Sequence, residues 1–117
     1  MSKAKKPAYT LGIEGGATRT SILLIGANDE VIEQFTAGPA NLRLMSKDDL
    51  EQHLRAIRSR LPVVPDCVGI GLAGVRQEAD LEILTTKVSR IWPGVPCAPT
   101  DDLLTALEAE PLSLIHI

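Results

Sequence analysis

The chain has 117 residues, enough for one domain or part of one, and its 44% hydrophobic and 23% charged residues are ordinary for a globular chain. A net charge of −3 gives no basis for binding nucleic acid or an anionic membrane. No apolar run approaches the roughly 18 residues of a membrane span, and no signal-peptide core follows the early lysines, so a cytoplasmic location is expected. Residues 1–7, polar and carrying Lys3, Lys5 and Lys6, read as a frayed leader.

Ala8 to Ile13 reads as a first strand and Ser21 to Ile25 as a second, joined across Gly15-Gly16. Tight primed turns need positive φ, which glycine takes freely, so the glycine pair predicts a hairpin. Its flanks carry more than a connector requires: Glu14 before, then Thr18, Arg19 and Thr20 after. Uncrowded amides, hydroxyls and a carboxylate able to hold hydrated Mg²⁺ suit a polyphosphate; an ordinary turn with polar flanks is the alternative. Val31 to Thr36 is a third strand after the turn Asn28-Asp29-Glu30, completing an antiparallel meander.

Gly38-Pro39-Ala40-Asn41 follows as a loop. Ser46 with Asp49 three residues on has capping-box spacing and opens a helix whose Leu50, Leu54, Ile57 and Leu61 share a face, closed by Pro62. His53 falls beside that face, where a lone histidine carries no assigned role. Cys67 to Ala73 is a short apolar run suited to a central strand buried on both faces, ended by Gly74. A second helix begins around Gln77, with Leu81, Leu84, Val88 and Ile91 at helical spacing, and stops at Trp92-Pro93-Gly94. Val95 to Ala98 is a weak strand between prolines. Thr100 caps a third helix, Asp101 to Glu110. Cys67 and Cys97 have no metal-ligand spacing and read as reduced, buried thiols.

The order β-β-β-α-β-α-β-α implies an α/β domain with a mixed five-stranded sheet, the ribonuclease-H-like arrangement. Ile13-Glu14-Gly15-Gly16-Ala17-Thr18-Arg19-Thr20 resembles the first phosphate motif of the actin-like ATPase superfamily. More narrowly, it is similar to the branch of N-acetylglucosamine kinases and BadF/BadG/BcrA/BcrD-type ATPases. The commoner motif begins with Asp, so Glu14 departs from it, as does Ala17 where a third Gly is usual. Three further stretches match in order: Gly38 to Asn41, Gly69 to Val75, and Thr100 to Leu107.

The resemblance implies an N-terminal actin-like ATPase domain over 8–111 of an incomplete protein, with 112–117 a truncated strand or a foreign tail. It implies ATP and Mg²⁺ as cofactors and an amino sugar, N-acetylglucosamine-like, as phosphoryl acceptor. Glu14 would hold the metal through water, Gly15, Gly16, Ala17 and Thr18 would meet the phosphates, and Asn41 would bind the sugar. Asp102 would be the general base, with Asp101 where Asn is usual; helix capping is the plainer role for both aspartates. The missing C-terminal domain is the implied partner, and a homodimer of the full-length protein is left open. The alternatives are a BadF-type ATPase driving electron transfer to a dehydratase, or a non-catalytic ribonuclease-H-like module.

Overall fold

The protein is described here from a computed structural model, in which residues 8–99 are placed. The expected third helix, with Asp101 and Asp102, lies outside the described residues, as do the leader and the segment 112–117.

Three strands come first: β1 (Tyr9–Gly15), β2 (Thr20–Gly26) and β3 (Val31–Ala37). Helix α1 (Lys47–Ser59) leads to β4 (Cys67–Leu72), and helix α2 (Glu78–Ile91) to β5 (Cys97–Pro99). The sheet order is β3-β2-β1-β4-β5. β1 runs antiparallel to β2 and parallel to β4, so each helix is the crossover that a parallel pair requires. The mixed five-stranded sheet of the sequence reading is therefore present.

Alternation along the strands decides which face the helices cover. Leu11 and Ile13 of β1, Ile22 and Leu24 of β2, and Val68, Ile70 and Leu72 of β4 stand in register on one face. They form one core with Leu50, Leu54 and Ile57 of α1 and Leu84, Val88 and Ile91 of α2. Each such side chain contributes about 1.5–3 kcal/mol through its removal from water. Trp92 closes the end of this core, just past α2.

The local signals explain the ends of these elements. Ser46 and Asp49 form the expected capping box: the Asp49 amide donates to Ser46 Oγ at 3.0 Å, and the Ser46 amide to Asp49 Oδ2 at 3.3 Å. Asp29 takes φ 63° in the β2–β3 turn, a conformation aspartate tolerates. Every residue of β4 is buried, as its apolar run requires.

Three expectations shift. Helix α1 ends at Ser59, so Leu61 lies past the helix, half-buried, rather than on its face. The face of α2 buries Asp80, while Leu81 is only partly covered. β5 begins at Cys97 rather than Val95, because residues 92–95 form a turn: the Val95 amide donates to the Trp92 carbonyl, and Gly94 takes φ +79°. Cys67 is buried and Cys97 partly so; neither forms a disulfide, and burial pushes the Cys97 thiol up to about 12.

Candidate functional site

Parallel strands end together, and here the carboxyl ends of β1 and β4 bring three loops into contact. Ala73 donates its amide to the Gly15 carbonyl at 2.9 Å, Ala40 donates to Gly16 O at 3.1 Å, and Leu42 donates to Ala73 O at 2.7 Å. Asn41 and Ala73 form an isolated parallel bridge. The hairpin, the 38–42 loop and the 73–75 loop are thus stitched through their backbones. This is the carboxyl edge of the sheet, where open α/β sheets bind ligands.

The glycine pair does not do what the turn argument requires. Neither Gly15 nor Gly16 has positive φ; among the described glycines only Gly74 and Gly94 do. Gly15 is instead a site of close approach. A Cβ there would lie 2.6 Å from Leu72 Cδ2 and 2.8 Å from Ala40 Cβ. Gly16 donates its amide to Arg19 O at 2.8 Å, closing the turn. The amides of Ala17 and Thr18, both exposed, donate to no described residue. Among the four residues expected at the phosphates, the unspent donors are therefore these two.

Glu14, half-buried, sits at the end of β1 beside Ser21 on one side and Gly71 on the other. Its carboxylate has no hydrogen bond or ion pair with a described residue, and the neighbouring Gly71 puts no side chain over it. Mg²⁺ is commonly held by one carboxylate, several waters and the substrate phosphates, so a lone unpaired carboxylate beside free amides fits that donor set. Among the described residues no cluster of three or more metal-ligating side chains occurs.

Asn41 closes a turn of its own: its Oδ1 accepts from the Arg43 amide at 2.8 Å. Gly74, at φ +91°, packs so close that any Cβ would strike Asn41 Oδ1. The side-chain oxygen is therefore committed, and the amide nitrogen remains as a donor.

Two groups here have no prominent motif in the sequence. The buried Asp80 accepts from the amides of Arg76 at 2.9 Å and Gln77 at 3.1 Å, and pairs with Arg43. The Arg76 amide, with help from Gln77 and Arg43, holds its carboxyl below the usual range against the opposing effect of burial. Asp80 thereby ties the Asn41 loop to the start of α2. Spacing shows only a polar residue beside an apolar stripe; its partner is 37 residues away in sequence. His53, the second, meets Thr20.

Away from the loops, Glu51 on α1 gathers Arg55, Lys87 and Arg90. Hydrogen bonds from Arg90, then Lys87 and Arg55, lower its carboxyl to about 2. Lys87 and Arg90 also line an open cleft of about 510 Å³ beside α2, a different surface from the loop cluster.

The architecture is the ribonuclease-H-like fold. A ROK family transcriptional regulator, described as a homolog of the E. coli MLC protein, superposes with a TM-score of 0.52 at 15% identity, over 79% of this chain and 27% of that one. A structure assigned as an N-acetylglucosamine kinase from Chromobacterium violaceum gives 0.48 at 20% identity, over 87% of this chain and 39% of that one. T. thermophilus RuvC in complex with a Holliday junction substrate gives 0.43 at 13% identity, over 79% and 63%. The chain spans well under half the length of the first two. No protein-family model and no curated protein matches the sequence. What these likenesses share is the fold.

Proposed function

We propose that the chain is the N-terminal, phosphate-binding part of an ATP-dependent kinase acting on an amino sugar such as N-acetylglucosamine. The observation that carries this is the convergence of three loops at the carboxyl edge of β1 and β4, with free amides at Ala17 and Thr18, an unpaired carboxylate at Glu14 and a free amide nitrogen on Asn41. MgATP, when bound, supplies the transferable γ-phosphoryl group. The chain's own residues then divide the work of positioning and charge stabilisation. Ala17 and Thr18 donate their amides to phosphate oxygens, while Gly15 lets that turn lie close against Ala40. Glu14 holds the metal through its water shell. Asn41 donates to a sugar hydroxyl, its oxygen already spent on Arg43. Asp102, outside the described residues, is assigned as the base that takes the proton from the attacking hydroxyl.

The test is direct. In ¹⁵N spectra of the 117-residue chain, MgATP should shift the amides of Ala17 and Thr18 more than any in β3. Uniform small shifts, or none at millimolar nucleotide, would remove the phosphate assignment.

A further inference from the structure

His53 sits on α1 one residue before Leu54, a core side chain with no exposure, so its backbone is held by the packed face of the helix. Its Nε2 lies 3.0 Å from Thr20 Oγ1. Thr20 is the first residue of β2 and is fully buried. Its hydroxyl donates to the Gly38 carbonyl at 2.6 Å. A hydroxyl has one proton. With that proton committed to Gly38, the contact to the imidazole forms a hydrogen bond only if His53 donates through Nε2–H. Burial also lowers the His53 pKa, which keeps the ring neutral near pH 7. A relay therefore runs one way, from His53 through Thr20 to Gly38.

Gly38 begins the loop that ends in Asn41. Beyond this relay, the loop is fixed to the hairpin by one backbone bond, from the Ala40 amide to Gly16 O. Pro39 has no amide to add another.

We propose that His53 is a positioning residue, which acts through Thr20 to hold the Gly38–Asn41 loop against the glycine hairpin. In the kinase reading above, on which its functional meaning rests, it sets the separation between the phosphate amides and Asn41. Removing the imidazole leaves a buried hydroxyl with an unused acceptor and frees it to turn from Gly38. The loop's remaining bond to the hairpin, at Ala40, then opens more often, while the Leu42–Ala73 bond still holds its far end.

The experiment uses the 117-residue chain and two readouts. In ¹⁵N spectra of the wild-type imidazole above pH 7, His53 should show the Nε2–H tautomer; an Nδ1–H ring overturns the proposal with no variant needed. Amide hydrogen exchange then follows Ala40 against Ile13 and Ile70 in the β1–β4 ladder. His53→Leu should lower Ala40 protection about tenfold with the ladder amides within about twofold. His53→Gln, whose amide nitrogen reaches about as far as Nε2, should restore it. Thr20→Val should loosen Ala40 as His53→Leu does, and the double variant should be no worse than either. Equal loss at Ala40 and in the ladder, or no difference between the Leu and Gln variants, overturns the assignment. The Ala17 and Thr18 shifts with MgATP report on the nucleotide reading separately. A loosened Ala40 without those shifts keeps the relay and removes the kinase.

Discussion

Gly15 and Gly16 are adjacent, yet the structure assigns them opposite tolerance to a methyl group. A Cβ on Gly15 would stand 2.6 Å from Leu72 Cδ2, 2.8 Å from Ala40 Cβ and 3.1 Å from Ala40 O. Leu72 is buried and can turn only by leaving its place in the core. Ala40 is buried too, and its methyl moves only with its backbone, which is bonded to Gly16. Such overpacking costs about 1–3 kcal/mol. Replacing glycine where φ is not left-handed returns about 0.4–1 kcal/mol by restricting the unfolded chain. Gly15→Ala should therefore lose roughly 0–2.6 kcal/mol, and about 1–3 kcal/mol more than Gly16→Ala. At Gly16 the nearest atom to a new Cβ is Arg19 O at 3.5 Å, an ordinary contact, so Gly16→Ala keeps the favourable term alone. Urea denaturation followed by far-UV circular dichroism reads both. With m near 1 kcal/mol per M, the midpoint of Gly15→Ala lies about 1–3 M below that of Gly16→Ala, which itself holds or rises. Equal midpoints for the two variants, or a lower one for Gly16→Ala, would refute the close approach of the three loops.

Asn41→Asp keeps the oxygen that accepts from Arg43 and removes the amide donor, so the turn should survive. In the full-length protein, sugar affinity should fall roughly ten- to a hundredfold, about 1–3 kcal/mol, with ATP affinity nearly unchanged; calorimetry showing no change in sugar affinity would reduce Asn41 to a turn residue. Asp102→Asn in the full-length protein should cut sugar phosphorylation by about 10²-fold or more, and Asp101→Asn should do little; equal losses would mean the base is misassigned. Glu51 titrates at about 2 in the folded chain against an ordinary 4.5, so its contribution to stability is complete above about 4.5 and is lost as pH falls toward 2. Glu51→Gln should therefore flatten the dependence of Tm on pH across that window, and an unchanged slope would show that its three cations contribute nothing.

The elements were legible because their signals are local. The box at Ser46 and Asp49, the stripe Leu50-Leu54-Ile57 and the apolar run of β4 each fix one element within a few residues. The resemblance also marked three of the segments that meet. What the sequence hid was how they meet. Gly15-Gly16 reads as a turn pair by local rules, but the reason for Gly15 is Ala40 and Leu72, residues far along the chain. His53 and Asp80 look like boundary residues, since helical periodicity reports a face and not a partner. Their partners, Thr20 and Arg43, are 33 and 37 residues away in sequence.

The parallel pairing of β1 with β4 bears on how the chain acquires its site. Thr10 meets Cys67 across a separation of 57 residues, whereas β1, β2 and β3 pair through short turns. Closing the longer loop costs more entropy before any contact repays it, so the meander should form first and β4 dock later. The Gly15–Ala73 and Leu42–Ala73 bonds wait for that docking. A chain paused at the meander stage has the glycine hairpin but no pocket around it, and the edge of β1 that β4 will cover lies open to another chain. Slow production of the protein therefore carries its aggregation risk in residues 9–37, and a chaperone that shields β1 until α1 and β4 have emerged would raise the yield of competent protein.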